Sequence, residues 1–368
     1  MKFKAAVLNH VGKPLDIEEI ELGALAPGDV LVHVRASGLC HTDLEVIEGS
    51  LAYPLPIVLG HEGAGVVEAV GSAVTQLRPG DHVICSWNPH CGRCFYCERD
   101  LPILCELFTR WQPKGMLLDG RSRLSREGRA IHHFSVVSSH AQLCVVPESG
   151  AIAVSKEIPF DRACLIGCGV MTGVGAATRK ARVEPGASVL VIGCGAVGLN
   201  AIQGAKLAGA GLIIAADVSN TKLGIAQLFG AELAVDAAAP DVLDQLRSLT
   251  QGRGPDYVLE AAGHERAFRL ALEAVRPGGQ VVFLGKVNVN QDVAFRWGSL
   301  MGEKRIVRSS YGGGRPLRDF PWLVHQYLEG RLKLDELITR RIPLEQINGG
   351  FDAIRRGETV REVVVFPG

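Results

Sequence analysis

The run CGRCFYCERDLPILC, residues 91–105, places four cysteines in fifteen positions. Two residues separate Cys91 from Cys94 and Cys94 from Cys97, and seven separate Cys97 from Cys105. A bacterial ferredoxin run has three residues before its last cysteine and then proline, whereas Glu106 follows here, so an iron–sulfur cluster is disfavoured. Disulfides between such near neighbours would be strained. Four thiolates in one loop can wrap tetrahedrally around zinc and leave no position open, which is the form of a structural site. A closed zinc site is the favoured reading, with unligated cysteines as the alternative; His90, beside Cys91, reads as a loop histidine.

A closed site cannot bind substrate, so a catalytic metal needs other ligands. GLCHTD offers Cys40, GHEGAG offers His61 and LIGCGVMTG offers Cys168. Each alone is a weak signal, because buried cysteine is usually a small apolar core residue and a histidine near a turn is usually solvated.

A second chemistry-bearing string is Gly193-Cys194-Gly195-Ala196-Val197-Gly198, which follows directly on SVLVI. The next strand-like run, LIIAAD, ends in Asp217, nineteen residues past the last glycine. A strand before, a helix after and an acidic residue at that distance form the context of a dinucleotide fingerprint. Gly193 permits the tight turn, Gly195 lets backbone approach a pyrophosphate at the positive helix end, and Gly198 lets helix and strand pack closely. Asp217 would accept hydrogen bonds from the adenosine ribose and repel a 2′-phosphate, which favours NAD over NADP. The bland alternative is a glycine-rich structural turn.

These residues need two kinds of scaffold. Up to about residue 170 the chain is rich in short runs such as GDVLVHVRASG, GAGVVEAVG and GDHVICSW, which predict strands joined by tight turns in a β-rich, barrel-like domain. From PGASVLVIG onward the pattern becomes strand, glycine turn, a helix over 199–210, then LIIAAD, PDYVLEAAG and PGGQVVFLG, which predict a parallel sheet with crossover helices. From about residue 310 the patterning is mixed and ends in the strand-like REVVVF, expected to rejoin the first domain. The expected domains are 1–169, 170–309 and the return 310–368.

Length and composition agree with such an enzyme. A chain of 368 residues suggests two cores. Only 6% of residues are aromatic, and 39 Lys plus Arg balance 39 Asp plus Glu, so neither base stacking nor a net field favours nucleic acid or anionic lipid. The expected partners are small molecules or further copies of the chain. The apolar stretch 187–217 is interrupted by Asn200, Gln203 and Lys206 and does not read as a membrane span. The opening MKFKAAVLNHVGKPL reads as a first strand rather than a secretory signal, which predicts a cytoplasmic protein with reduced thiols.

In order and spacing, GLCHTD, GHE, the four-cysteine loop, GCG and the glycine fingerprint resemble the zinc-dependent alcohol dehydrogenases of the medium-chain dehydrogenase/reductase family. The resemblance covers nearly the whole chain and includes PLPIVLGHEGAGVVEAVG, DGRSRLSREGRAIHHF and VREVVVF. It implies an α/β fold: a GroES-like β-rich catalytic domain interrupted by a Rossmann doubly wound parallel-sheet domain. It implies two zinc ions per chain, NAD, and reversible oxidation of alcohols to aldehydes by hydride transfer.

Residue by residue, the resemblance makes Cys40, His61 and Cys168 the catalytic zinc ligands and Cys91, Cys94, Cys97 and Cys105 the structural ones. Cys85, Cys144, Cys164 and Cys194 match no ligand. Two cysteines and one histidine would leave zinc one open position, from which it could polarise an alcohol oxygen. Thr42 matches the hydroxyl that accepts the alcohol proton, Asp43 the carboxylate that orients His61, and Glu62 a neighbouring glutamate that modulates coordination. His41 and Arg361 match positions near the cofactor pyrophosphate, and Lys222 one near the adenosine ribose. Many members end their proton relay in a histidine five residues after the first ligand. Glu45 stands there, so Glu45, or water reached past it, is expected to take that role.

Leu51, Trp87, Leu104 and Phe134 fall where the family lines its substrate pocket, which suggests primary alcohols with an aryl or medium-length aliphatic chain. Glutathione-dependent formaldehyde dehydrogenases carry an acidic residue at the position of Leu51, which argues against a glutathione adduct. That activity and polyol oxidation are the runners-up, and a zinc-stabilised nucleotide-binding scaffold is the non-enzyme alternative. The segment from Leu107 to His133 resembles an insertion of dimeric members, so a homodimer is expected.

Overall fold

The computed structural model describes residues 1–367, which divide into two compact units. The first comprises residues 1–168 together with those from Arg315 onward, and the second is Gly169–Gly314.

The hub of the first unit is the strand Asp29–Gly38, whose valine-rich run is buried on nearly every residue. Branched side chains at Val30, Val32 and Val34 suit a pleated surface and enter one apolar cluster with Leu39, Leu44, Leu59 and Val364. Glu62–Val70 pairs antiparallel with this strand from Val30 opposite Val70 to Gly38 opposite Glu62, and the register shifts twice on the way. At Gly65 a Cβ would come within 2.1 Å of the His33 carbonyl oxygen, so only glycine lets the strands approach there. Leu143–Pro147 and Arg361–Val365 also pair antiparallel with the hub. The sheet continues through His82–Cys85 and Ala151–Ala153 at one side and Ile338–Ile342 at the other. The C-terminal return is thus built into the sheet of the first unit. Beside it, Lys2–Leu8, Asp16–Leu22, Leu124–Arg126, Arg129–His133 and Ile57–Val58 close into a small barrel.

The second unit is a doubly wound Rossmann sheet. Its strands run in the order Leu233–Asp236, Leu212–Asp217, Ser188–Ile192, Tyr257–Glu260, Gln280–Phe283 and Arg305–Arg308, all parallel. Their apolar runs fit strands covered on both faces. Strand order reverses between Ser188–Ile192 and Tyr257–Glu260, and such a switch point opens a ligand crevice at the carboxyl ends of the strands.

Two boundaries differ from expectation. The helix after the glycine turn spans Ala196–Leu207 rather than 199–210. Gly195 serves as its N-cap, so the small residues of the fingerprint form its first turn, and at its far end Gly209 takes φ +82°. Residues 310–314, expected with the return, group with the Rossmann unit because the turn Tyr311–Gly313 packs on the helix Met171–Gly175; a Cβ at Gly175 would lie 2.8 Å from the Gly312 carbonyl. Among the described residues no helix is long and apolar enough to cross a membrane.

Candidate active site

The Gly38–Glu62 pairing brings the end of one strand beside the start of another, and a ligand-type residue lies just beyond each. Cys40 caps the helix His41–Glu48 with extended backbone, and its N–H donates to Asp43 Oδ2 at 3.2 Å, three residues into that helix. Gly60, at φ +92°, turns the chain into His61, and the Gly60 N–H donates to Asp43 Oδ1 at 2.9 Å. Asp43, fully buried, therefore staples both turns. It also lies 3.2 Å from His61 Nδ1, which fixes that proton on Nδ1 and leaves Nε2 for a metal. Cys168 comes from the widened π-helical turn Ile166–Val170, a kind of irregularity often found at functional sites.

Donor atoms of Cys40, His61, Glu62 and Cys168 all lie within 4.8 Å of one another. Tetrahedral zinc with Zn–S of about 2.3 Å and Zn–N of about 2.0 Å needs ligand atoms roughly 3.3–3.8 Å apart, so this soft, nitrogen-and-sulfur set fits zinc with a small contraction. The Cys91, Cys94, Cys97 and Cys105 sulfurs meet the same 4.8 Å limit. Cys94 and Cys97 Sγ are 3.5 Å apart, and the backbone N–H groups of Cys91 and Glu106 point at Cys105 and Cys94 Sγ. Those N–H groups favour thiolates: that of Glu106 brings Cys94 down to about 6, whereas burial pushes Cys97 up to about 12.

Electrostatics single out the first cluster. A hydrogen bond from Cys168 holds Cys40 well below an ordinary thiol, and Cys168 is raised in turn. Burial opposes charge on His61, but the anionic Asp43 and Cys40 outweigh it and hold the imidazole well above its usual range. Glu62 is pushed up to about 7 by burial and restrained by Arg361, whose guanidinium donates to Glu62 Oε1. Arg361, expected near a pyrophosphate, gives one of its N–H donors to the carboxylate beside Cys40, His61 and Cys168.

Thr42 and Glu45 are half-buried and three residues apart on the same short helix, hence on one face of it; His41 is exposed. The pocket candidates separate. Phe134 is fully buried and its ring meets that of His61 edge-on at 5.5 Å and that of Tyr53 at 5.0 Å. Leu51 and Trp87 are half-buried against the apolar core. Leu104 is exposed on the cysteine loop next to Cys105.

In the Rossmann unit the fingerprint glycines act unequally. A Cβ on Gly193 would lie 2.6 Å from Ala262 N and one on Gly198 only 1.8 Å from the Gly193 carbonyl, so both are required by packing. Nothing lies within 4 Å of a Cβ built on Gly195, which leaves the helix start open for a phosphate. Asp217, buried at the end of its strand, accepts from Cys194 N–H at 2.7 Å and Ser219 N–H at 3.0 Å. Ala196 and Val197 open the helix, and Lys222 is exposed on Asn220–Leu228.

Sequence reasoning missed Tyr53, Ser37, Ser139 and His140. Tyr53 accepts a hydrogen bond from Gln112, and the other three lie buried behind Asp43. None carries a short-range signal; only strand pairing reveals them.

Fold and site together define a metal-assisted dehydrogenase. Residues 26–156 match the alcohol dehydrogenase GroES-like domain and residues 196–329 match the zinc-binding dehydrogenase family. The chain belongs to the zinc-dependent alcohol dehydrogenases of the medium-chain dehydrogenase/reductase family. It is 40% identical to alcohol dehydrogenase class-3 of Cereibacter sphaeroides and 37% identical to S-(hydroxymethyl)glutathione dehydrogenase of Paracoccus denitrificans, with all of both chains covered in each case. It superposes on benzyl alcohol dehydrogenase of Acinetobacter calcoaceticus with TM-score 0.94 and 31% identity, again over all of both chains.

Proposed function

We propose that the chain oxidises a terminal hydroxymethyl group to a formyl group with NAD as hydride acceptor, and runs in reverse on the carbonyl. The observation that carries this is the gathering of Cys40, His61 and Cys168 around one point beside a threonine-bearing helix. These three side chains would hold zinc, which when bound acts as a Lewis acid on the substrate oxygen. Asp43 keeps His61 turned with Nε2 inward. Thr42 Oγ1 takes the proton of the substrate hydroxyl as it passes its own proton onward, and the Glu45 carboxylate, one turn further along the helix, or water reached past it, receives the proton released. The open backbone at Gly195, with Ala196 and Val197 starting the helix, would receive the NAD pyrophosphate, while Asp217 accepts from the adenosine ribose. Four cysteines at 91, 94, 97 and 105 would hold a second zinc that only shapes the loop.

The name of the Paracoccus denitrificans relative favours S-(hydroxymethyl)glutathione as the substrate, against the aryl or medium-chain primary alcohols expected from the pocket positions. A second reading, an aryl primary alcohol, is favoured by the apolar Leu51, by Phe134 beside His61 and by the likeness to a benzyl alcohol dehydrogenase. NADH formation separates them. A kcat/KM for formaldehyde plus glutathione well above that for benzyl alcohol supports the first, the opposite ratio supports the second, and no NAD-linked turnover of either rejects both. The enzyme is further proposed to be a dimer working in a reducing compartment such as the cytoplasm. All ten cysteines are free, and the edge strand Arg305–Arg308 exposes Ile306. A tetramer mass by light scattering would refute the dimer.

A further inference from the structure

Behind Asp43 lies a row of side chains that the reaction itself does not use. Ser37, Ser139 and His140 are shut off from solvent. Ser37 Oγ is 2.7 Å from Ser139 Oγ and 2.9 Å from His140 Nδ1. On the opposite side of the ring, His140 Nε2 lies 3.8 Å from Asp43 Oδ1 and makes no hydrogen bond. The ring is wedged in place: Phe351 meets it edge-on at 5.8 Å, and a Cβ on Gly60 would lie 2.7 Å from Nδ1.

Burial brings His140 down to about 4, so its ring is neutral and carries a single N–H. With that proton on Nδ1, the Nε2 lone pair would face a carboxylate in a dry, low-dielectric place. With it on Nε2, the N–H dipole faces the carboxylate, Ser37 donates to Nδ1 and Ser139 donates to Ser37. Only the second arrangement leaves every group along the row with a favourable neighbour.

We propose that His140 is a positioning residue for His61, acting through an Nε2–H directed at Asp43 Oδ1 that keeps this shared carboxylate aimed. Asp43 already accepts from the N–H groups of Cys40 and Gly60 and from His61 Nδ1. The histidine adds a fourth favourable dipole to this carboxylate. The inference rests on the reading that Cys40, His61 and Cys168 hold a metal.

The test is zinc release from the loaded enzyme to the coloured chelator 4-(2-pyridylazo)resorcinol, with the four-cysteine ion as internal control. Outer partners that bond a ligand directly are worth about 10–100-fold in metal affinity. His140 stands one step further out, so His140→Phe is expected to speed loss of the Cys/His ion by about 3- to 10-fold, below that range, and to leave the other ion unchanged. His140→Gln, which keeps an N–H, restores part of the difference. In an Asp43→Asn background, where no carboxylate remains to be aimed, His140→Phe adds nothing. Parental release by His140→Phe, equal acceleration of both ions, or full additivity with Asp43→Asn each overturns the proposal. If His140→Phe does not fold, Ser37→Ala, which removes the donor that fixes the tautomer, must accelerate release or the proposal fails. A parent enzyme that holds only one zinc per chain overturns the metal reading itself, and this inference with it.

Discussion

The carboxylate of Glu62 accepts a hydrogen bond from the guanidinium of Arg361, 299 residues away in sequence, and both side chains are buried. The pair joins two strands that flank the hub Asp29–Gly38 on opposite sides. Removing one member leaves the other charge unpaired in the interior, which costs about 3–5 kcal/mol. Arg361→Met should therefore lower the urea midpoint strongly, and Glu62→Gln combined with Arg361→Met should recover much of that loss. A double variant as unstable as the sum of the singles would show that the ion pair is not what holds the strands.

Asp217, proposed to hold the ribose, also shapes the turn, since its carboxylate accepts from the N–H groups of Cys194 and Ser219. Asp217→Asn keeps one of those two acceptor oxygens, sets an NH2 against the other N–H, and removes the charge that repels a 2′-phosphate. The expected result is a fall of roughly tenfold or more in the NAD over NADP ratio of kcat/KM, equivalent to about 1.4 kcal/mol, with a lower melting temperature from the one N–H left without its acceptor. An unchanged ratio would remove Asp217 from cofactor choice.

His133 is fully buried, its Nε2 accepts from the Arg123 N–H at 3.2 Å, and burial brings it down to about 3. The unfolded chain protonates this residue near pH 6.5, whereas the folded chain keeps it neutral. Its contribution to stability is complete above about pH 6.5 and is lost as the pH falls toward about 3, at about 1.4 kcal/mol per pH unit while only the unfolded state binds the proton. Urea unfolding at pH 7 and pH 5 should show a shallower acid loss in His133→Gln than in the parent. Equal slopes would mean that the folded state takes up the proton too.

Glu45 shares a helix face with Thr42. It puts a carboxylate where many family members place an imidazole. Glu45→Gln should lower kcat for alcohol oxidation and change the shape of its pH profile, and Glu45→His should recover rate. Superimposable pH profiles for parent and Glu45→Gln would take the residue out of the proton path and leave water in its place.

Local chemistry was legible in the sequence, and long-range geometry was not. Cys91 to Cys105 and Gly193 to Gly198 announce themselves because each set lies within one turn or loop, and the Cys₄ cluster and the open helix start follow. Cys40, His61 and Cys168 carry no such spacing. They meet through the Gly38–Glu62 register and a widened helical turn, and were found only by resemblance to a family. The helix start at Ala196 was misplaced because periodicity becomes readable only where large side chains begin, three residues into the helix. His140 sits in SSHAQ, which reads as an ordinary polar loop; its depth comes from pairing of the neighbouring strand with Asp29–Gly38. Leu104 and Phe134 looked alike as pocket candidates, yet one is exposed and the other touches a ligand ring.

The hub strand has one more consequence, which concerns the order of synthesis. Its neighbour Glu62–Val70 leaves the ribosome early, but its other flank, Arg361–Val365, emerges only after the whole Rossmann insert has been made. At about 5–20 residues per second, that interval is roughly 15–60 s. Throughout it the nascent chain carries a bare sheet edge at residues 36–38 and a glutamate without its cation. Such an edge is a template on which another chain can pair before the native strand arrives. For this enzyme the hazardous period of folding is set by the architecture of its two interleaved units, and it should shorten if the C-terminal strand is supplied early, as in a circular permutant that begins near Arg315.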